Sequence, residues 1–432
     1  MDIAAVVICL TAACSYINYR WLRLPQVVGI MLLALLLSVS VAGLGIVMPS
    51  IRGAFQNWVG QIEFDQTLMH GMLSFLLFAG ALRVNLEDLL SRKYTIGFLA
   101  TFGVMLSTVL VGSGMYFVAR WLELGLSYKS CLLFGALISP TDPIAVLGLL
   151  RSAGAPKSLE IKITGESLFN DGVGVVVFLI LLEAVTGEKP LALTHAGWLF
   201  VEEALGGMAF GWLVGWLAYQ ALRSVDHYPV EALITLALVL GGYTLAGVLH
   251  VSGPIAMVVA GLLIGNHGRQ FAMSVQTREH LDTFWELVDE ILNAVLFLLI
   301  GLEILVIPFS GSLIGAGLAA IPIVLAARWI STAIPILILR RWRRLTPGAI
   351  PILTWGGLRG GISIALALSL PIGELRDRLV GMTYLVVLFS VLVQGLTLRA
   401  VAQRVLGDRI KRRQAFIATY PQRGLSTSHP NE

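Results

Sequence analysis

Long apolar runs, separated by short polar, proline-containing or glycine-containing breaks, follow one another along nearly the whole chain. A helix needs about 20 mainly apolar residues to cross the hydrocarbon core of a bilayer. Thirteen runs approach that length, of which the third and ninth are short. The pattern therefore predicts an all-α polytopic membrane protein with about thirteen transmembrane helices. The predicted spans are residues 3–19, 25–48, 67–82, 96–119, 130–150, 163–186, 194–221, 230–248, 253–266, 281–306, 312–339, 347–370 and 379–403.

The composition supports this class. Hydrophobic residues make up 57% of the 432 residues and charged residues only 13%, against about 25% charged in an ordinary soluble domain. Residues 1–20 lack a basic segment before their apolar stretch, so they predict a first span and not a cleaved signal peptide. Cys9, Cys14 and Cys131 lie in apolar segments without metal-ligand spacing, which favours small buried side chains and predicts no cofactor.

The basic residues predict the orientation of the chain. With the N-terminus outside, 22 of the 30 Lys and Arg fall in inner loops and the C-terminal tail, six in outer loops and two inside spans. Such a bias sets topology, so we expect a cytoplasmic C-terminus in a plasma (inner) membrane. The net charge of +4 follows from these loops and does not indicate a nucleic-acid partner. Residues 406–432 form a short basic tail, which we expect to be disordered and to contact lipid headgroups.

The sixth predicted span is polar at its centre. It contains Gly165-Glu166-Ser167-Leu168-Phe169-Asn170-Asp171-Gly172 in an otherwise apolar run. A carboxylate in a bilayer costs about 2.5–3.5 kcal/mol on insertion scales. Ser167 and Asp171 are four residues apart and share a helix face, as do Glu166 and Asn170. Such a cluster is expected where a helix faces a watery cavity and handles an ion or a proton, so a transporter is the first hypothesis.

Two other spans are predicted to be broken. The fifth contains Ser139-Pro140-Thr141-Asp142-Pro143, whose prolines remove amide donors and disfavour helix before each ring. The twelfth contains Trp355-Gly356-Gly357-Leu358-Arg359-Gly360-Gly361, which carries a buried cation. The two spans are seven apart and therefore cross the membrane in opposite directions. Matched breaks of opposite direction predict two inverted six-helix repeats, spans 1–6 and 8–13, with crossed broken helices and the substrate site between them.

The two aspartates of these motifs are predicted to meet near the middle of the membrane. Asp142 lies nine residues before the inner-loop Arg151, and Asp171 lies nine residues after the inner-loop Lys162. Each is therefore about 13–14 Å from the inner side of a hydrocarbon core about 30 Å thick.

The residue types at this depth suit a monovalent cation and a proton. Hard cations prefer oxygen ligands, and such ligands are available from Asp142, Asp171, the Ser167 hydroxyl and carbonyls freed at Thr141. Loss of surrounding water favours the protonated form of a carboxylate, so protons would compete with the cation for the same oxygens. Competition at one site that opens alternately to each side is sufficient for exchange.

The three motifs resemble those of the cation:proton antiporter-1 family, the NhaP/NHE-type sodium–proton exchangers. The motifs are residues 139–143, 165–172 and 355–361, and the thirteen-span plan extends the likeness over about residues 1–405. The resemblance implies a transporter and not an enzyme, and the short tail favours the prokaryotic type. It also implies a homodimer with an elevator mechanism. In it, a core from spans 4–6 and 11–13 moves against a dimerisation part from spans 1–3 and 7–10.

The resemblance further implies roles for single residues. Asp171 would be the exchanging carboxylate. The rest of the Na⁺ site would be Asp142, Thr141, Ser167 and Asn170, with Asn170 orienting Asp171. The electrogenic branch of the family has a second Asp in the position of Asn170, so we expect electroneutral exchange of one proton for one cation. Na⁺ is the expected cation, with Li⁺ and K⁺ as alternatives.

The remaining buried charges are given structural interpretations. An unpaired buried arginine is costly, and we interpret Glu166 as the partner of Arg359, as the family resemblance also implies. Two charges facing separate aqueous vestibules are the alternative. Arg328 is expected to pair with an acidic neighbour and not to bind substrate. A polar stripe on span ten is expected to line a cytoplasmic or interfacial route: Asp289, Glu290 and Asn293.

Two other function classes are considered. Paired aspartates on adjacent spans are also typical of an intramembrane aspartyl protease, but its Gly-x-Gly-Asp signal is absent from the sequence. A cation channel usually assembles an acidic ring or a carbonyl filter by symmetry, whereas this polar cluster lies within one chain. Peptide cleavage would favour the protease, and flux far above about 1000 ions per second would favour the channel.

Overall fold

The computed structural model describes residues 3–48, 71–143, 156–187, 193–307, 310–340 and 348–419, with isolated positions between 50 and 58 and between 146 and 150. This part of the chain is almost entirely helical. The helices are α1 (Ile3–Ile17), α2 (Gln26–Val47), α3 (Leu73–Leu82), α4 (Leu86–Ser91), α5 (Lys93–Trp121), α6 (Tyr128–Ile138), α7 (Lys157–Thr186), α8 (Leu193–Arg223), α9 (Tyr228–Val248), α10 (Gly253–Leu263), α11 (Val275–Glu303), α12 (Gly311–Arg340), α13 (Ala349–Trp355), α14 (Gly361–Leu368), α15 (Glu374–Phe389) and α16 (Gly395–Thr419).

The predicted class, an all-α polytopic membrane protein, is confirmed. Helices overlap all thirteen predicted runs, although residues 67–70 of the third run lie outside the described residues. The number of thirteen crossings stays a prediction, because α3 and α6 are only 10 and 11 residues long. Seven helical stretches are each long and apolar enough to cross a bilayer: Ile3–Leu22, Gln26–Leu44, Lys93–Trp121, Lys157–Thr186, Tyr228–Val248, Gly311–Leu339 and Glu374–Gly407.

Both predicted breaks are present. The helix α6 ends at Ile138, the backbone forms an isolated bridge at Asp142, and the next described residues, from Val146, are helical again. The second break separates α13 from α14. The Asp142 amide donates to the Leu358 carbonyl oxygen at 2.8 Å in an antiparallel bridge. The two unwound segments therefore meet and run in opposite directions, as the sequence predicts, while the larger inverted repeats stay a prediction.

Glycines allow the helices around the first break to pack closely. A Cβ at Gly135 of α6 would lie 2.3 Å from the Thr108 carbonyl oxygen of α5, and a Cβ at Gly174 of α7 would lie 2.5 Å from Pro140 Cγ. Small residues at such contacts let transmembrane helices approach each other. The polar segment of α7 is thereby held against the unwound segment that follows α6.

The buried apolar side chains form two main clusters. One joins α5, α6 and α12–α16 with α1 and α2, and the other joins α3 with α8–α10. Both α7 and α11 contribute to both clusters, so they lie along the boundary. The clusters follow the predicted division into core and dimerisation parts except at α1 and α2, at Ile96 of α5, and at α11, which is shared. That division stays a prediction.

The start of the tail differs from the prediction of disorder from residue 406. Helix α16 continues to Thr419, and residues 420–432 lie outside the described residues. The segment after Gly407 is rich in Arg, Lys, Gln and Ala, which have high helix propensity, and the first proline comes only at Pro421. The helix of the last span can therefore extend through the basic cluster.

Candidate ion-binding site

A cavity of about 690 Å³ lies between α3, α7, α11 and the two breaks. Its lining includes Thr141, Asp142 and Asp171 from the predicted site. It also includes Asp88 of α4 and Lys157 at the start of α7. The cavity thus connects the broken helices with the charged ends of α4 and α7.

Asp171 is a buried acid on the wall of this cavity. It lies near the middle of α7 and is only 6% exposed. Among the described residues, its Oδ1 atom has no hydrogen-bond partner. Buried polar atoms are nearly always paired, and a buried ionised carboxylate is costly without a partner. The arrangement suits a carboxylate whose partner is a cation or a proton arriving through the cavity.

Asp142 lies in the first break, against Gly360 of the second. A Cβ at Gly360 would lie 2.5 Å from Asp142 Oδ2, so the carboxylate occupies space that only glycine leaves open. Gly360 immediately precedes α14, and a helix N-terminus favours a negative charge. The second break therefore accommodates the carboxylate of the first.

Thr141 is held by two residues of α7. Asn170 Nδ2 donates to Thr141 Oγ1 at 2.7 Å, and Asn170 Oδ1 accepts from the Thr141 amide at 3.3 Å. The Ser167 hydroxyl donates to the Thr141 carbonyl oxygen and lies 3.0 Å from Thr141 Oγ1. The structure brings these three residues together, but both ends of the Asn170 amide are used by Thr141. Asn170 therefore orients Thr141, and in the described residues no hydrogen bond joins it to Asp171.

Arg359 satisfies carbonyl groups that the first break leaves without helical partners. Its Nη1 atom donates to the carbonyl oxygens of Ser139 at 2.5 Å and Pro140 at 3.0 Å. Its own amide donates to the Ser390 hydroxyl at 2.9 Å. Carbonyls at an interrupted helix end need such donors when no water reaches them. This buried guanidinium therefore fastens the second break to the first.

Glu166 has a different partner from the one predicted. Its Oε1 atom accepts from Arg328 Nη1 of α12 at 2.5 Å, and both side chains are buried. The predicted ion pair of Glu166 with Arg359 is therefore wrong, whereas the expectation that Arg328 pairs with an acidic neighbour is confirmed. Arg328 Nε also donates to the Leu353 carbonyl oxygen at 3.3 Å. Gly357 makes this possible, because a Cβ there would lie 2.5 Å from Arg328 Nε.

The opposite wall of the cavity is formed by α11. The polar stripe predicted on span ten, Asp289, Glu290 and Asn293, lines the cavity. That the cavity is a cytoplasmic or interfacial route stays a prediction. Arg83, at the end of α3, forms an ion pair with Asp289. Sequence reasoning missed Arg83, which looks like any inner-loop basic residue. It also missed Ser363 of α14, a single hydroxyl in an apolar run that lines the same cavity.

Comparison with known proteins agrees with the ion-binding chemistry of the site. The sequence model of the family described as sodium/hydrogen exchanger, transmembrane, matches residues 6–404. The chain belongs to this family. The match confirms the resemblance carried by the three motifs. Because the sodium/hydrogen exchanger family consists of transporters, it also agrees with the expectation that the chain is not an enzyme.

Relatives in the sodium/hydrogen exchanger family match over nearly their full length. The Na⁺/H⁺ antiporter NhaP of Pseudomonas aeruginosa is 51% identical over 411 residues, covering 94% of this chain and 97% of that protein. The Na⁺/H⁺ antiporter NhaH of Halobacillus dabanensis is 35% identical over 392 residues, covering 89% and 93%. The solved structure of the sodium proton antiporter MjNhaP1 from Methanocaldococcus jannaschii at pH 8 superposes with a TM-score of 0.72 at 18% identity, covering 93% and 97%. This last likeness shows a shared fold.

Proposed function

We propose that this protein exchanges Na⁺ for H⁺ across the plasma membrane, one for one, and that Li⁺ or K⁺ can replace Na⁺ to an extent set by the site. The observation that carries the proposal is Asp171, a buried residue that lines a large cavity and whose carboxylate has an unpartnered oxygen in the described part of the chain. Full-length relatives described as Na⁺/H⁺ antiporters support the same activity.

The chemistry is competition for Asp171. A cation can bind only to the ionised carboxylate, and a proton occupies the same oxygen when the cation leaves. Asp142, Thr141 and Ser167 supply the further oxygens close to the breaks, since hard cations require several oxygen ligands. Asn170 brings no second carboxylate, and its amide is already bonded to Thr141. One proton is therefore replaced by one monovalent cation, and the exchange moves no net charge.

The position of the cavity supports an alternating-access cycle. The cavity connects Asp171 with Asp88 and Lys157, which the predicted orientation assigns to the cytoplasmic side. In this conformation the site would be open to the cytoplasm. Opening to the outside then requires the core helices α5–α7 and α12–α16 to move against the dimerisation part of a homodimer. A boundary that follows α7 and α11, which both contribute to both apolar clusters, supports this division.

The proposal is tested with purified protein in proteoliposomes that hold a pH gradient. Addition of Na⁺, Li⁺ or K⁺ should collapse the gradient in wild type and should have no effect in Asp171→Asn, which keeps the size of the side chain but cannot exchange a proton. Ser40→Ala is a matched control, because its hydroxyl is exposed and bonds only within α2. An equal response of wild type and Asp171→Asn would remove Asp171 from the mechanism.

A further inference from the structure

Three oxygen atoms on residues lining the cavity have no hydrogen-bond partner within the described part of the chain. They are Asp171 Oδ1, Ser363 Oγ and Asn293 Oδ1. Ser363 is 1% exposed and Asn293 is 3% exposed. Buried polar atoms without a partner are rare and call for an explanation, such as a bound ion. The proposed function already explains the unpartnered oxygen of Asp171, which is the exchanging acid. The unpartnered oxygens of Ser363 and Asn293 remain to be explained.

Ser363 lies at the start of the second half of the broken span. It is the third residue of α14, just beyond Gly360, which lies against Asp142. A Cβ at Gly361 would lie 2.6 Å from Leu296 Cδ1 of α11. The first turn of α14 therefore contacts α11 less than one helical turn from Asn293. The two unpartnered oxygens belong to facing elements of one cavity.

The orientation of the Asn293 amide is fixed by its donor end. Its Nδ2 atom donates to the Asp289 carbonyl oxygen at 2.8 Å and to Asp289 Oδ1 at 2.9 Å. Because both acceptors require the amide nitrogen, the amide oxygen has to point away from Asp289. The charge of Asp289 is in turn matched by Arg83. Asn293, a residue of the wall opposite Asp171, thus carries a neutral, buried oxygen that is directed away from Asp289.

We propose that Ser363 Oγ and, while the cavity is open, Asn293 Oδ1 are further ligands of the transported cation. This inference rests on the proposed function. A hydroxyl and an amide carbonyl are neutral oxygen ligands of the kind that hard cations accept beside carboxylates. They can share the coordination of the cation without competing for the exchanged proton. Ser363 belongs to the core that carries Asp171, whereas Asn293 belongs to the wall formed by α11. Ser363 therefore keeps its place beside the cation on both sides of the membrane, and Asn293 contacts it only while the cavity is open.

The location of the two residues predicts different effects on the two faces of the membrane. Ser363→Ala should raise the KM for Na⁺ about 5- to 10-fold from either face, the effect of losing one polar contact. Asn293→Leu should raise the KM by a similar factor only from the cavity face. In both variants kcat should stay within about twofold of wild type, because the proton-exchanging group is intact. Everted and right-side-out vesicles present the two faces separately to added Na⁺.

Conservative variants separate a ligand role from a structural one. Ser363→Thr retains the hydroxyl and should restore the wild-type KM. Asn293→Asp retains Oδ1 but loses the donor to Asp289, so it should bind Na⁺ at least as well as wild type if the oxygen is what matters. A purely structural role of the bond to Asp289 would raise the KM equally in Asn293→Asp and Asn293→Leu. That result would overturn the assignment of Asn293.

A second readout and a control make the test independent of transport rate. Na⁺ should raise the melting temperature of purified wild type, because a ligand of the folded state stabilises it. The Na⁺ concentration for half of that shift should rise in Ser363→Ala and Asn293→Leu. Ser369→Ala is the control, since its hydroxyl bonds to the Leu366 carbonyl oxygen outside the cavity. Normal exchange in wild type with an unchanged KM in both variants would overturn the inference alone. Absence of exchange in wild type would overturn the proposed function itself.

Discussion

Replacement of either member of the Glu166–Arg328 pair should destabilise the protein strongly. The side chains are 2% and 9% exposed, with 2.5 Å between Glu166 Oε1 and Arg328 Nη1. Glu166→Gln leaves a buried guanidinium without its counter-charge, and Arg328→Met leaves a buried carboxylate. Removing one partner of a buried ion pair costs about 3–5 kcal/mol. The additional bond from Arg328 to the Leu353 carbonyl oxygen contributes about 1 kcal/mol, so Arg328→Met should be the more damaging change.

The double variant measures the coupling energy between Glu166 and Arg328 separately from the effect of each side chain alone. With both charges removed no uncompensated ion remains, so Glu166→Gln/Arg328→Met should lose less stability than the sum of the single variants, by about 2 kcal/mol. The same cycle with Arg359→Met should give a coupling below about 1 kcal/mol, because Arg359 donates to the carbonyls of Ser139 and Pro140. The free energy of unfolding is measured by reversible unfolding in mixed micelles as the fraction of SDS is raised. A stronger coupling of Glu166 to Arg359 than to Arg328 would refute the pairing.

Three further predictions concern the breaks and the charge balance. Gly360→Ala should abolish exchange in proteoliposomes because its Cβ would lie 2.5 Å from Asp142 Oδ2, whereas Gly247→Ala, with no atom within 4 Å of its Cβ, should transport normally. Equal activity of the two would contradict the packing of the breaks. Asn170→Ala should raise the KM for Na⁺ about 5- to 10-fold by releasing Thr141, and an unchanged KM in a Na⁺ titration would leave Thr141 without a role. Wild-type proteoliposomes held at a fixed voltage should carry no net current during exchange, and a steady current would exclude the one-for-one stoichiometry.

The parts of the site with a local chemical signal could be predicted from the sequence. Two prolines around Thr141 and Asp142 interrupt a helix wherever it lies, and a carboxylate such as Asp171 in an apolar run needs a polar cavity. The opposite direction of the two broken spans followed from counting spans. The antiparallel bridge between Asp142 and Leu358 agrees with that count.

Choices among partners could not be predicted, because they depend on which helices face each other. Arg328 and Arg359 are both buried cations, and nothing in the linear order shows that α12 brings Arg328 to Glu166. Gly357 was a partial signal in the sequence. A glycine has no side chain, so it can leave the space that a buried guanidinium fills. The role of Asn170 was likewise hidden, because its partner Thr141 is fixed only by the folded break.

Some single polar residues could be assigned to the site only after the folded structure showed which side chains line the cavity. Arg83 satisfied the positive-inside pattern and gave no sign of its ion pair with Asp289. Ser363 is a common residue in a membrane helix, where serine often bonds to its own backbone. The structure, by contrast, shows that Ser363 lines the ion cavity and that its buried hydroxyl has no partner in the described residues.

The most direct test of the central claim, competition of cation and proton for Asp171, is the number of protons released when purified protein binds Na⁺. A weakly buffered solution with a pH indicator reports this release while Na⁺ binding is followed by calorimetry. The account predicts close to one proton released per Na⁺ bound at a pH where the site is protonated, and none from Asp171→Asn. Na⁺ binding to wild type at that pH without proton release would contradict the account.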